Sequence, residues 1–204
     1  MLPLIDDPPA EAVTGLRDRK KRAVRDAIVD AALDLFAADG FEATTVLAVA
    51  DRAGVSPATV ARYFPTKESM LFSERDVRSV ALAGAITARP RREGPLRAVI
   101  EALADQPPVT PRFRLRLVRS RRAIARSTVL RGRSLGLLDE WRDAVAGAVV
   151  ARGLAPEDAR VLATAVVAVL DDVTARWAAT GGRGDIRAEV SRALTVLEPK
   201  RRSP

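Results

Sequence analysis

Residues 54 to 64 read GVSPATVARYF and hold Tyr63, the only tyrosine of the chain, next to Arg62 and just after a Gly-Val-Ser turn. Ser56 is placed to cap a helix whose first position is Pro57, where the missing amide hydrogen costs nothing. Pro65 ends that helix at Phe64. Upstream, Thr44 and Thr45 suit the start of a short helix over about 45–53, which Gly54 stops. Two short helices joined in this way form a helix-turn-helix pattern. The second helix fits a DNA major groove, ~12 Å wide, while the first braces it across the backbone. Val49, Ala53, Val55, Val60 and Phe64 would lock the pair onto a preceding helix, which turns Ala58, Thr59, Ala61, Arg62 and Tyr63 outward in varying degree. Helical hairpins with glycine turns occur in all-α proteins of every kind, so the motif alone leaves a structural account and a DNA-reading account open.

Composition narrows the choice. The chain has 34 Lys and Arg against 26 Asp and Glu, a formal net charge of +8, and neither His nor Cys. A basic balance suits nucleic acid, an anionic membrane surface or a phosphorylated ligand, and charge alone does not separate them. The absence of His and Cys excludes disulfides, Cys/His zinc sites and His-dependent nucleophilic systems, so an enzyme is not expected, nor any cofactor or metal. The first residues, MLPLIDDPPAEAVTG, lack the charged start and apolar core of a signal peptide. No apolar run approaches the ~20 residues of a spanning helix, so a cytoplasmic protein without a membrane partner is expected.

A composition of 48% apolar residues with only 4% aromatics, rich in Ala, Leu and Arg, favours an all-α fold. Val24, Ile28, Ala31, Ala32, Leu35 and Phe36 recur at helical steps over about 17–38 before Gly40. Thr66 caps a fourth helix running to about Arg89. Further patterns lie at about 95–104, 111–126, 130–152, 156–179 and 185–197, about nine helices in all. RFRLRLV (112–118) alternates charged and apolar residues as an exposed strand does, yet Phe113, Leu117 and Ile124 also fit a helical face, and helix is expected.

The stretch from Ala27 to Lys67 resembles the DNA-binding domain of the TetR family of bacterial transcriptional regulators. Its landmarks are AALDLF, Gly40-Phe41, Thr44-Thr45, AGVS at 53–56, Thr59, Tyr63-Phe64 and Lys67. The resemblance is specific over roughly residues 20–72. It implies a DNA-binding domain over 16–67 and an effector-binding and dimerisation domain over 68–198, while the Pro-rich, acidic residues 1–15 are expected to form a disordered arm and 199–204 a basic tail. It further implies that Thr45, Ser56, Pro57, Ala58, Thr59, Arg62, Tyr63 and Lys67 contact double-stranded operator DNA. Chemistry agrees: Thr45 can offer hydroxyl and amide to a phosphate at a helix N-terminus, as Lys67 can with its charge. The Arg62 guanidinium matches guanine O6 and N7, and the Tyr63 hydroxyl can reach a phosphate. Relatives usually carry an aromatic where this chain has Ala61, so a phosphate contact is missing there. Upstream, RDRKKRAVR (17–25) is either a solvated helix start or a source of salt-sensitive phosphate contacts.

Beyond residue 67 the resemblance implies a homodimer through helices 156–179 and 185–197. VLATAVVAVL (161–170) is apolar nearly all round, and Ile186, Val190, Leu194 and Leu197 recur along the last helix. A purely intramolecular core is the alternative. Between Arg112 and Arg133 stand nine arginines and no acid. They are a solvated face, a site for an anionic effector, or a surface for an acidic partner. DEW (139–141) and ARW (175–177) resemble effector domains of the mycofactocin-system branch, with which acyl-CoA is associated. Candidate pocket residues are Phe113, Arg116, Leu117, Leu138, Trp141, Val145, Asp171 and Trp177, each of which also suits plain core. Asp172 can pair with Arg176 one turn on.

The expected function is a ligand-responsive repressor that binds a palindromic operator as a homodimer and is released by a small, largely apolar effector such as acyl-CoA. The alternatives are a helical module binding an anionic partner through its arginine-rich segment, and a carboxylate-dependent hydrolase using Asp171 or Asp172.

Overall fold

The computed structural model describes residues 15–72, 75–106 and 109–198, with the backbone alone at residues 75–77. The described residues form ten α-helices and no strand: α1 (Leu16–Ala38), α2 (Val46–Ala53), α3 (Pro57–Tyr63), α4 (Ser69–Phe72), α5 (Arg75–Ala88), α6 (Pro95–Ala104), α7 (Pro111–Arg126), α8 (Thr128–Val150), α9 (Pro156–Ala179) and α10 (Ile186–Thr195). The fold class is all-α, as the composition suggests. The one long helix expected between Thr66 and Arg89 appears as α4 and α5, and residues 73–74 between them lie outside the described residues. The arm over 1–15, apart from Gly15, and the tail over 199–204 lie outside them as well.

Local chemistry explains the boundaries. Gly54 closes α2 at φ 67°, a left-handed conformation that an L side chain resists, and its amide donates to Ala50 O and Asp51 O. Residues 112–118 are helical despite their alternation. Phe113, Leu117 and Ile124 sit on the buried face and Arg114 and Leu115 on the exposed one, so the helical period describes their burial and the period of two does not.

Two compact units divide the described residues. One holds residues up to 75 together with 111–134; the other holds 76–110 and 135–198. In the first, α1 packs against α2, α4 and α7, and α2 against α3. Ile28, Phe36, Val49, Val60 and Leu117 are fully buried there, and Phe36 and Phe41 meet edge to face at 5.1 Å. Burial of one such large apolar side chain stabilises by about 1.5–3 kcal/mol. Helix α7, assigned by the sequence to the larger effector part, thus folds with the amino-terminal helices.

The second unit packs α10 on α9 and α6. Trp177 is buried and its Nε1 donates to Gly184 O at 3.2 Å. Arg152 donates to Ile86 O in the last turn of α5 at 3.3 Å, and to Arg89 O at 2.6 Å and Pro90 O and Glu93 O at 2.9 Å each in the loop that follows, which ties off the end of α5. No helix among the described residues is long and apolar enough to cross a membrane.

Candidate nucleic-acid interface

The positions of the α2 and α3 side chains follow from two caps and one buried valine. Thr45 caps α2, its hydroxyl accepting from Ala48 N at 3.1 Å. Thr44, read as a second capping residue, instead turns inward and donates to Gly40 O at 2.7 Å. Ser56 caps α3 by accepting from Thr59 N at 3.1 Å, and its hydroxyl also meets that of Thr59 at 2.9 Å. Each cap is worth about 1 kcal/mol. Val60 is fully buried and fixes the roll of α3. Residues two before and two after it lie about 200° away round the axis, so Ala58 and Arg62 point furthest from the core. Both are exposed, as is Ala61, while Thr59 and Tyr63 on the flank are half-buried.

Lys67 is placed differently from the free cation that the sequence suggests. Its ammonium donates to Phe41 O at 2.6 Å and Thr44 O at 2.9 Å, lies 3.4 Å from Glu42 O, and sits 4.3 Å from the centre of the Phe41 ring. An ammonium has three donors, and the carbonyls of the loop before α2 engage them. Lys67 therefore fixes the loop that presents Thr45. The other side of the loop is tied by Glu42, whose carboxylate accepts from the buried Ser127 hydroxyl at 2.6 Å. That bond holds the Glu42 carboxyl below its ordinary pKa. Nothing in one dimension connects Glu42 with Ser127, so the sequence alone does not mark this role.

The basic start of α1 faces α3. Arg17, Asp18, Lys20, Lys21 and Val24 line a cleft of about 810 Å³ together with Arg62 and Tyr63. The Arg62 guanidinium lies over the Tyr63 ring, 5.5 Å from its centre, and Arg25 lies over Phe64 at 5.3 Å.

The arginine-rich segment behaves otherwise. Arg112 reaches Asp26 at 3.1 Å and Asp30 at 2.7 Å, Arg116 reaches Asp26 at 3.0 Å and Asp30 at 2.5 Å, and Arg119 pairs with Asp34. Arg116 also donates to Asp26 O at 3.1 Å and is only 8% exposed. Burial alone would raise the Asp30 pKa, but hydrogen bonds from Arg116 and Arg112 outweigh it and hold the carboxyl below its ordinary value. Neither a solvated face nor a free anion site describes these three arginines. Arg126 extends the attachment by donating to Ala37 O at 3.0 Å, at the end of α1.

The eight candidate pocket residues divide between the units. Phe113, Arg116 and Leu117 belong to the first; Leu138, Trp141, Val145, Asp171 and Trp177 to the second. Trp141, Val145 and Trp177 are buried, Leu138 and Asp171 half-buried. Asp171 is not without a partner. Asp172 pairs with Arg176 at 2.9 Å on an exposed surface, as their spacing predicts. No group of acidic residues able to hold a metal ion occurs among the described residues.

A family model described as bacterial regulatory proteins, tetR family, matches residues 28–73, the segment that carries the second half of α1 together with α2, α3 and α4. The HTH-type transcriptional regulator RutR of Escherichia coli (strain K12) is 32% identical over 157 residues, 73% of either chain. The HTH-type transcriptional regulator TcmR of Streptomyces glaucescens is 40% identical over 85 residues, 42% of this chain and only 38% of TcmR. Among solved structures, the fatty acid degradation regulator FadR of Bacillus halodurans shares the fold, with a TM-score of 0.57 over 85% of this chain and 94% of that one at 19% identity.

Proposed function

Because the chain belongs to the TetR family of bacterial transcriptional regulators, we propose that it is a ligand-responsive repressor. It binds a palindromic operator as a homodimer and leaves it when a small, largely apolar effector binds. The observation that carries this reading is α3 itself: a short helix rolled by buried Val60 so that Ala58, Ala61 and Arg62 stand exposed beside two capped helix starts. In this reading α3 enters the major groove. DNA contacts come from Thr45, Ser56, Pro57, Ala58, Thr59, Arg62 and Tyr63, and Lys67 acts by fixing the loop before Thr45. Residues 16–67 are the reader and 68–198 the effector-binding and dimerisation part, although α7 within them is bonded to α1.

Dimerisation is assigned to α9 and α10. Within VLATAVVAVL, Val166, Val167 and Leu170 are buried while Val161 and Ala168 are exposed, so the helix offers a second apolar stripe beyond its own core. Ile186, Val190 and Leu194 of α10 are buried and Leu197 is exposed. The effector pocket is assigned to the second unit, around Leu138, Trp141, Val145, Asp171 and Trp177. Arg112, Arg116 and Arg119 pair with carboxylates and are therefore not a ready site for the phosphates of acyl-CoA. Effector and operator are coupled reciprocally: a ligand favouring the unbound state must itself bind more weakly when DNA is present.

The test is a mobility-shift titration of the full chain on the DNA upstream of its own gene. Wild type is expected to prefer that DNA over a shuffled duplex. Ala58→Glu, which sets a carboxylate against the groove, should lose roughly 100-fold in affinity with its thermal melt unchanged. Equal binding of both duplexes by wild type would sink the reading.

A further inference from the structure

The geometry points to the cleft between the start of α1 and the end of α3 as the seat of one strand of the DNA backbone, with Arg62 a phosphate contact there and not a reader of bases. This rests on the DNA-reading role proposed above and changes how α3 performs it.

Arg62 leaves the outward direction of its helix. Its α-carbon lies on the face opposite buried Val60, the direction that would carry a side chain straight into a groove. The guanidinium instead sits over the Tyr63 ring, 5.5 Å from its centre, and lines the same cleft as α1. A cation–π contact with the ring uses none of the guanidinium's N–H donors, and its planar fork suits bidentate contact with a phosphate. Across the cleft stand Arg17, Lys20 and Lys21, all exposed, with Asp18 as the single acid. Four cations therefore surround an open groove of about 810 Å³ whose two walls are both elements of the reader. A polyphosphate strand is the occupant this charge pattern fits.

Once Arg62 is drawn aside, the exposed face of α3 is left with Pro57, Ala58 and Ala61, all without a side-chain donor or acceptor. Methyl groups carry no hydrogen bond to a base edge but pack against the C5-methyl of thymine. The helix then reads by shape and methyl contact, while its last turn and α1 supply the electrostatic hold.

The experiment is fluorescence anisotropy of the full chain over a salt series. The probes are a duplex enriched by wild type from a random-sequence library and a shuffled duplex of equal composition. Lys20→Gln/Lys21→Gln should lower the slope of log affinity against log salt by about 2, and Arg62→Gln by about 1. Both variants should weaken the two duplexes alike, so the ratio of affinities stays within about twofold of wild type, and both should melt as wild type because these side chains are exposed. If Arg62→Gln collapses the ratio and leaves the slope, Arg62 reads bases and the proposal fails. An unchanged slope in the double lysine variant removes α1 from the interface and also overturns it. Enrichment of no duplex by wild type is a different failure, of the DNA-reading role itself.

Discussion

Helix α1 carries charge on two faces that are handled in opposite ways. Toward α7, Asp26, Asp30 and Asp34 stand at every fourth residue and meet Arg112, Arg116 and Arg119. Toward α3, Arg17, Lys20 and Lys21 meet another cation, Arg62, and share one acid. The first face is neutralised inside the protein and so attaches α7 to the reader. The second is left with excess positive charge, which asks for an anion from outside. A run of arginines in a sequence thus has no fixed meaning, because the fold decides whether a matching run of carboxylates is brought against it.

The comparison breaks most severely at Arg116. It is the most buried cation of the ladder, its side chain 9% exposed against 10% for Asp26. Truncating one partner of a buried, hydrogen-bonded pair strands the other charge, at a typical cost of about 3–5 kcal/mol. Arg116→Ala should therefore lower stability in urea unfolding by about 3 kcal/mol. Replacing Lys20 and Lys21 by Gln on the opposite face should leave the same unfolding curve in place. Equal losses from the two faces would show that both are structural.

Acid should act on one face only, with a smaller effect than Arg116→Ala. The Asp30 carboxyl is held below its ordinary pKa in the folded chain, mainly by its bonds to Arg116 and Arg112 acting against burial. A depressed carboxylate contributes stability that is complete above its unfolded value, about 3.9, and is lost as pH falls through the folded value below that. The melting temperature should fall as pH drops below about 4, and Asp30→Asn should flatten that fall by removing the titrating group. The same fall in Asp30→Asn would place its source elsewhere.

Much of the reader was legible because its information is local. Ser56-Pro57, Gly54 and Pro65 set the ends of α2 and α3 by rules that act within a few residues, and the observed caps obey them. What stayed hidden depends on partners far along the chain. The arginine spacing at 112, 116 and 119 was visible, and so was the aspartate spacing at 26, 30 and 34, but sequence offers no reason to bring these stripes together. The Lys67 clamp is hidden for the same reason, since its acceptors are backbone carbonyls, which leave no mark on residue type.

The smallest effect should come from Arg112, which bonds the same two carboxylates as Arg116 but is half exposed, its side chain at 50%. Water and salt screen such a pair, so its expected worth is about 0.2–1 kcal/mol. Arg112→Ala should also leave both aspartates paired with Arg116, so no buried charge is stranded. Its cost should shrink between ~0.01 M and ~1 M salt, over which the Debye length falls from about 30 Å to about 3 Å. The cost of Arg116→Ala should change little over that range, because buried pairs are poorly screened. Parallel salt series of urea unfolding on the two variants measure this directly. If both costs fall together, Arg116 is as open to solvent as Arg112, and the ladder is another solvated face.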